Sequence, residues 1–306
     1  MKLLLLSDCH LSAETPISRT DDLCKTQMNK LKFIFDYVEE NEINEIVQAG
    51  DLFHSPRSWY LLEEFIDLYN KYDNLNISNV YGQHDTYSAS IENRGATNLG
   101  ILHRSEIITL LDHNPLYLDD NTCVYGASWN DEVPEPEDLD LCNILVIHEG
   151  IGTEDLYPGQ NRLNANNFLR KHKFDLILCG DIHQSFSITD KNGRSIVNTG
   201  PLLRREATEY NFTHKPNFIV YDTKTKGLET VYIPCEPAEK ILNRDHIEIN
   251  KERKEILSDF TKEILDSYKK SSDFDENLKS FLNENKKEIS NNVLKIISKY
   301  MEGELK

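Results

Sequence analysis

Five short apolar runs in this chain each give way, within a few residues, to aspartate or histidine, and that recurrence constrains the fold more than any other feature. "KLLLL" leads to Asp8 and His10, and "INEIVQA" leads to Gly50, Asp51 and His54. "ISNVY" leads to Gly82, Gln83, His84 and Asp85, "NILVI" ends in His148, and "FDLILC" leads to Gly180, Asp181 and His183. Short apolar runs flanked by turn or charged residues read as buried strands. In α/β sheets, ligands gather at the carboxyl ends of strands. One polar residue after a strand is ordinarily a cap; the same event in five strands points to one crevice.

Between the first two runs lies "DLCKTQMNKLKFIFDYVEEN", and between the second and third "SWYLLEEFIDLYNKY", both with apolar residues at helical spacing. Strand, helix, strand, helix, strand is a parallel α/β beginning. The second half is strand-rich: "NTCVYGASW", "SFSIT", "SIVNTG", "NFIVYDT" and "LETVYIP", with "DKNGR" and "TKTKG" as hairpin turns. The expected fold is α/β, with two facing sheets flanked by helices, over residues 1–235. Residues 236–306 turn charged and helix-favouring, with Ile256, Phe260, Ile264 and Leu265 at helical spacing. The pattern continues in "FDENLKSFLNENKKE" and "NNVLKIISKYM", with "SSDFD" as a cap between helices. This second region reads either as a helical appendage packed on the core or as a docking surface for a partner.

At 306 residues the chain holds one large domain, or a domain with an appendage. Its six cysteines are scattered without a CxxC pair, which argues against a zinc knuckle or a disulfide framework and fits buried, reduced thiols of the cytoplasm. No apolar stretch approaches the roughly 20 residues that span a bilayer, so no membrane association is expected. The opening "MKLLLLSDCH" reads as a first strand, not a signal peptide. The net charge of −18 excludes a broad electrostatic grip on nucleic-acid phosphates. Contact with a nucleic acid would be local, metal-assisted or shared with a more basic partner.

Clustered carboxylates repel one another unless a positive charge sits between them, and imidazoles at the same place supply neutral nitrogen donors. Aspartate, histidine and an amide oxygen make a mixed donor set suited to Mn2+, Fe or Zn. Asp8, His10, Asp51, Gln83, His148, Asp181 and His183 are too many ligands for one ion with an open position. Two divalent ions about 3.5–4 Å apart, sharing a carboxylate, would use them all. Such a pair activates a water as hydroxide and holds phosphoryl oxygens, which is chemistry for hydrolysing phosphoesters.

The ordered set D-x-H (Asp8, His10), G-D (Gly50, Asp51), G-x-H-D (Gly82 to Asp85), His148 and G-x-x-H (Gly180 to His183) resembles the calcineurin-like metallophosphoesterases. That resemblance implies their four-layer α/β/β/α fold. "AGDLFHSPRS" and "NTGPLLRRE" are similar to segments of the SbcD-type DNA-repair nucleases, while the Asp-Arg-Gly of protein phosphatases is absent. Carried over, the resemblance gives one metal to Asp8, His10 and His183 and the other to Gln83, His148 and Asp181, with Asp51 as the bridge. His84 matches the residue that stabilises the phosphate and protonates the leaving oxygen, and His54 matches a second site histidine. Asp85 either orients His84 or caps the following segment.

Two positions depart from the pattern. Gln83 stands where the family has asparagine, and Asp181 where it has histidine; both keep a donor and imply altered tuning of the second metal, with Mn2+ favoured. Among the loop arginines, Arg57 and Arg204 lie in matched segments and are the expected phosphate contacts. The chain has no G-x-x-x-x-G-K-[ST]. SbcD-type enzymes are homodimers that work with a coiled-coil ABC ATPase of the SbcC type, which implies that partner and DNA here. A small-molecule or nucleotide phosphodiesterase, and a catalytically weak scaffold for an ATPase, remain as alternatives.

Overall fold

In the first strand, β1 (Lys2–Leu6), side chains alternate between two apolar environments, because the period of a strand is two. Leu3 and Leu5 enter one core with Val47, Val80, Ile144, Val146, Leu176, Leu178 and Val197. Leu4 and Leu6 enter another with Ile34, Phe35, Ile46, Phe65 and Phe218. A strand buried on both faces must sit between two layers, which is why "LLLL" carries no polar alternation. The computed structural model describes residues 1–153, 163–245, 260–261, 274–286 and 289–301. The chain divides into two units, Met1–Asn243 and Arg244–Lys306.

The first unit has two mixed sheets of six strands each. In the first sheet β1 pairs in parallel with β2 (Glu45–Gln48), β2 with β3 (Asn76–Asn79), and β3 with the short β4 (Thr109–Leu110). On its other side β1 runs antiparallel to β13 (Asn217–Asp222), which pairs with the edge strand β14 (Gly227–Tyr232). The second sheet has β7 (Cys142–His148) and β10 (Leu176–Gly180) at its centre, parallel, with His148 opposite Gly180. On one side follow β12 (Ser195–Asn198) and the edge strand β11 (Phe186–Thr189); on the other, β6 (Thr122–Ala127) and β5 (Leu116–Asp119). A two-residue pair, β8 (Ile151–Gly152) with β9 (Leu163–Asn164), lies outside both sheets.

Helices α1 (Leu23–Glu40) and α2 (Trp59–Tyr69) cover the outer face of the first sheet. The side chain of Asp22 caps α1 by accepting from the Lys25 N–H, which satisfies an orphan donor of the first turn. Helix α4 (Ala165–Lys171), the fourth in the chain after the short α3 (Asn98–Arg104), covers the second sheet through Phe168 and Leu169. The expected four layers and both expected hairpins are present. Helices α3 and α4 were too short to register as periodic patterns.

Residues 236–243, assigned by composition to the helical region, pack with the first unit: the Thr20 N–H donates to the Ile241 carbonyl and the Asn243 N–H to Ser18. In the second unit Phe274–Glu284 and Asn291–Met301 are helices. Phe260 meets Phe281 edge-on at 5.3 Å. Ile256, Ile264, Leu265 and the start of the "SSDFD" cap lie outside the described residues. All six cysteines are free; Cys9, Cys123 and Cys179 are buried, whereas Cys235 is exposed. No described helix is long and apolar enough to cross a membrane.

Helix α1 also buries a lysine. The ammonium of Lys30 donates to the Leu202 carbonyl at 2.6 Å, and burial lowers its pKa from the ordinary 10.5 to about 7. Between those two pH values the unfolded chain holds a proton that the folded chain does not. Stability from this group therefore rises as pH climbs from about 7 toward 10.5. The expected result is a melting midpoint whose pH dependence over that window is flatter in Lys30→Met than in the parent chain. Equal slopes in the two proteins would place the folded-state pKa near its ordinary value.

Candidate metal centre

The carboxyl ends of β1, β2 and β3 in one sheet and of β7 and β10 in the other come together at one end of the sandwich. Hydrogen bonds stitch the sheets there, three of them next to the polar cluster. The Ser7 hydroxyl donates to the Cys179 carbonyl (2.8 Å), the Asp181 N–H to Asp8 Oδ1 (3.0 Å), and His148 Nδ1 to the Ala49 carbonyl (2.7 Å). The last of these fixes the tautomer: with Nδ1 carrying the proton, neutral His148 presents a bare Nε2.

That bare nitrogen faces Asp51 Oδ2 at 3.4 Å, and both atoms are buried without a hydrogen-bond partner. His10 Nε2 lies 3.7 Å from the same Asp51 oxygen and 2.9 Å from His183 Nε2. Asp8 Oδ2, His10 Nδ1 and His54 Nδ1 are likewise buried and unpartnered. An unsatisfied buried polar group costs ~1–3 kcal/mol, and five together approach the ~5–15 kcal/mol net stability of a whole domain. Acceptors converging on acceptors call for a cation between them or, in its absence, for protons. Donor atoms of Asp8, His10 and His183 lie within 4.8 Å of one another, as do those of Asp8, Asp51 and His148, so the residues fit a pair of divalent ions.

The electrostatics of the cluster say the same. Burial pushes the Asp8 carboxyl up to about 8, with the charge of Asp51 adding to the effect. Burial alone would lower His148, but the negative charge of Asp51 beside it outweighs burial and lifts the imidazole to about 10. Burial alone would raise Asp51, yet His148 and His10 hold it far below the carboxylate range. Without metal, protons take the place of the cation, and metal binding must displace them.

The backbone is bent to serve this geometry. His10, Asp51 and Asp181 have φ of +47°, +51° and +84°, a left-handed region that non-glycine residues enter at a cost and that is concentrated at functional sites. Gly82 is required by close approach: a Cβ there would sit inside the Asp51 carboxylate. With glycine in place, Asp51 Oδ1 accepts the His84 N–H at 2.8 Å. Gly50, at φ +80°, leaves room for the His148 ring.

Each expected site residue can now be placed. The donor atoms of Asp8, His10, Asp51, His148 and His183 converge as candidate ligands, and Asp8 belongs to both groups, a shared position the sequence did not single out. Asp181 lies next to this cluster through its N–H bond to Asp8, but its carboxylate is not among the grouped donors. Gln83 is half-buried, between Gly82 and His84, with its carbonyl accepting from the Thr86 N–H and hydroxyl. His54 and His84 stack at 4.9 Å and form a third group with His10. His84 Nδ1 donates to the His54 carbonyl (3.0 Å), which leaves Nε2 as its free nitrogen. Burial, then the charge of Arg205, lowers His54 to about 4, so its ring is neutral at pH 7.

Three expectations are corrected. Asp85 does not orient His84: its oxygens accept from the N–H groups of Leu52, Phe53 and Gly82, tying the β2 and β3 loops together. Arg204 is buried, and its donors go to the carbonyls of His214 and Glu236 and to Cys235 Sγ. Arg57 is exposed over the Tyr87 ring (4.7 Å) and bonds the Ala96 carbonyl, outside the walls of the histidine cavity. The arginine that does reach the site is Arg205, which lines a cavity of about 390 Å³ with His10, His54, His84 and His183. Its Nη1 is buried without a partner. The "RR" doublet was the visible signal, but only the backbone decides which arginine faces inward.

The profile described as calcineurin-like phosphoesterase matches residues 1–185. The chain belongs to that family. It is therefore placed among metal-dependent phosphoester hydrolases that use pairs of divalent ions. No curated protein sequence matches it. Among solved structures it is similar to a dimetal phosphatase from Danio rerio at 12% identity, covering 72% of this chain and 91% of that one, with a TM-score of 0.47. It is also similar to the nuclease MPE from Pseudomonas putida, at 15% identity, covering 75% and 87%, with a TM-score of 0.33.

Asp51→Asn tests the centre, because it removes the buried charge around which the ligands gather. In the parent chain, Mn2+ at a hundredfold excess over its dissociation constant should raise the melting midpoint by about 5–10 °C. In Asp51→Asn the metal-free midpoint should fall, since the buried His148 loses its charge partner, and Mn2+ should add almost nothing. An equal rise in both proteins, read by differential scanning fluorimetry, would contradict a centre built on Asp51.

Proposed function

We propose that the chain is a Mn2+-dependent DNA nuclease, the phosphodiester-cleaving subunit of an SbcCD-like repair complex. The observation that carries the reading is the composition of the cavity beside the ligand cluster. His84, His54 and Arg205 occupy it together, and none of the three is needed to complete the dinuclear ligand set. That is an acid and a phosphate anchor placed next to the hydrolytic centre. "GDLFHSPR" and "GPLLRR" support DNA as the substrate.

In this reading Asp8, His10, Asp51, His148 and His183 hold the ions, with Gln83 and Asp181 completing the second position. When bound, the pair supplies Lewis-acid activation of water and neutralises charge on the phosphoryl group. His84 keeps its Nδ1–H on the His54 carbonyl and turns Nε2 toward the cavity, so that in its imidazolium form the Nε2–H would be the proton given to the departing oxygen. The Arg205 guanidinium offers its free N–H groups to a non-bridging phosphate oxygen. Pro201 and Leu203 line the same cavity and exclude water around that contact. The partner reading, an SbcC-type coiled-coil ATPase bound by a homodimer, is supported by helix Asn291–Met301, where Val293 and Ile296 are exposed one turn apart.

The modest volume of the cavity, about 390 Å³, favours one second reading, a nucleotide or small-molecule phosphodiesterase. The deciding assay compares hairpin or nicked duplex DNA with bis(p-nitrophenyl) phosphate, in Mn2+, with and without the ATPase partner. His84→Ala should slow DNA cleavage about 10²–10⁴-fold with metal content unchanged. Arg205→Ala should lower kcat/KM roughly 10–100-fold, with partial recovery in Arg205→Lys. A chain that cleaves only the small ester would replace the nuclease reading with the second one; metal loss in His84→Ala would make that residue a ligand.

A further inference from the structure

Beyond Tyr210 the histidine cavity is succeeded by a second, larger one. Its volume is about 510 Å³, and it lies between the edge strand of each sheet, β11 on one side and β14 on the other. Tyr210 lines both cavities and is the wall between them. That wall is held firmly. The Ser185 N–H donates to the Tyr210 hydroxyl oxygen at 2.9 Å, His214 Nδ1 stands 3.1 Å from the same oxygen, and the two rings stack at 5.1 Å. His214 is in turn locked by Nε2, which donates to the Pro201 carbonyl at 2.8 Å.

The second cavity is polar and faces solvent. Ser185, Ser187, Thr213 and Thr230 place hydroxyls around it, and Lys215 and Tyr232 stand at its rim. Tyr232 is 61% exposed on β14, opposite Asn217 in the sheet register. The Lys215 ammonium lies 5.9 Å from its ring centroid. A large exposed aromatic on an edge strand gains nothing for the core, and a cation beside it offsets the negative potential the ring would otherwise present to a phosphate. The pairing of a flat aromatic with a nearby ammonium is the arrangement that receives a base on one group and its phosphate on the other. In a chain of net charge −18 it is also a local exception to the general repulsion of phosphates.

We propose that this inter-sheet cavity is a subsite for the nucleotide next to the scissile phosphate in a single-stranded segment, with Tyr232 stacking on its base and Lys215 contacting its phosphate. The proposal rests on the nuclease reading for its substrate class. The strand passes over Tyr210 from the histidine cavity into the gap between β11 and β14. Ser185 and Ser187, which follow His183 on the way into β11, connect the two places covalently, so the subsite and the metal centre keep a fixed spacing.

The test uses the full chain and a fluorescein-labelled single-stranded oligonucleotide. Anisotropy is read with Ca2+ present, and steady-state cleavage is read with Mn2+ on the oligonucleotide and on bis(p-nitrophenyl) phosphate. Tyr232→Ala and Lys215→Ala should each weaken oligonucleotide binding about tenfold and raise its KM in proportion, with the small ester unaffected. Tyr232→Phe should behave as the parent, and Lys215→Ala should reduce the salt dependence of binding by about one phosphate contact. Unchanged binding in both alanine variants overturns the subsite, as does equal loss on the small ester or a parent chain that binds no oligonucleotide. Binding that depends on Tyr232 and Lys215 without any cleavage keeps the subsite and removes the nuclease reading; cleavage indifferent to both residues does the reverse.

Discussion

The structure depends on one confrontation, Nε2 of His148 against the carboxylate of Asp51, at 3.4 Å and away from water. Each residue comes from a different sheet, so the two halves of the sandwich close on a buried pair with a proton or a cation between them. Nothing in the hydrophobic core requires this. Leu3, Val47, Ile144 and Leu176 would pack as well over an apolar end. Burying such a cluster costs stability, and a bound cation would offset that cost. A site of this kind ties function to folding: whatever binds at the seam also clamps the sheets.

The remaining features follow from holding that seam at the right spacing. Glycines 50 and 82 are small because His148 and Asp51 occupy the space a side chain would need. His10, Asp51 and Asp181 accept left-handed backbone in the turns that follow β1, β2 and β10. Asp85 spends its charge on three backbone N–H groups so that the loops after β2 and β3 move as one body. The buried Lys30, Arg19 and His214 hold the carbonyls of Leu202, Arg204 and Pro201, and so fix the loop that delivers Arg205 to the cavity.

Much of this was legible in the residues. Strands buried on both faces announce themselves as unbroken apolar runs, and polar residues recurring at their ends mark one crevice, so "LLLL", "EIVQ", "NILVI" and "LILCG" located both the layers and the cluster of Asp8, His10, Asp51, His148 and His183. What stayed hidden depends on long-range geometry. Arg204 and Arg205 are chemically identical neighbours, and only the path of the loop turns one toward His214 and the other toward His54. Asp85 could have been a cap or an orienter; three backbone donors from two loops, separated by some thirty residues in sequence, decided it. The edge cavity of Tyr232 and Lys215 joins residues from strands of two different sheets, and no local pattern marks it.

The central claim is that the seam between the sheets is a dinuclear centre in which Asp51 is shared. Anomalous diffraction from crystals soaked in Mn2+ tests it most directly. The account predicts two ions about 3.5–4 Å apart, one against His10 and His183, the other against His148, with Asp51 touching both and Gln83 and Asp181 at the second. A single ion, or ions held by His10, His54 and His84 with Asp51 untouched, would contradict it.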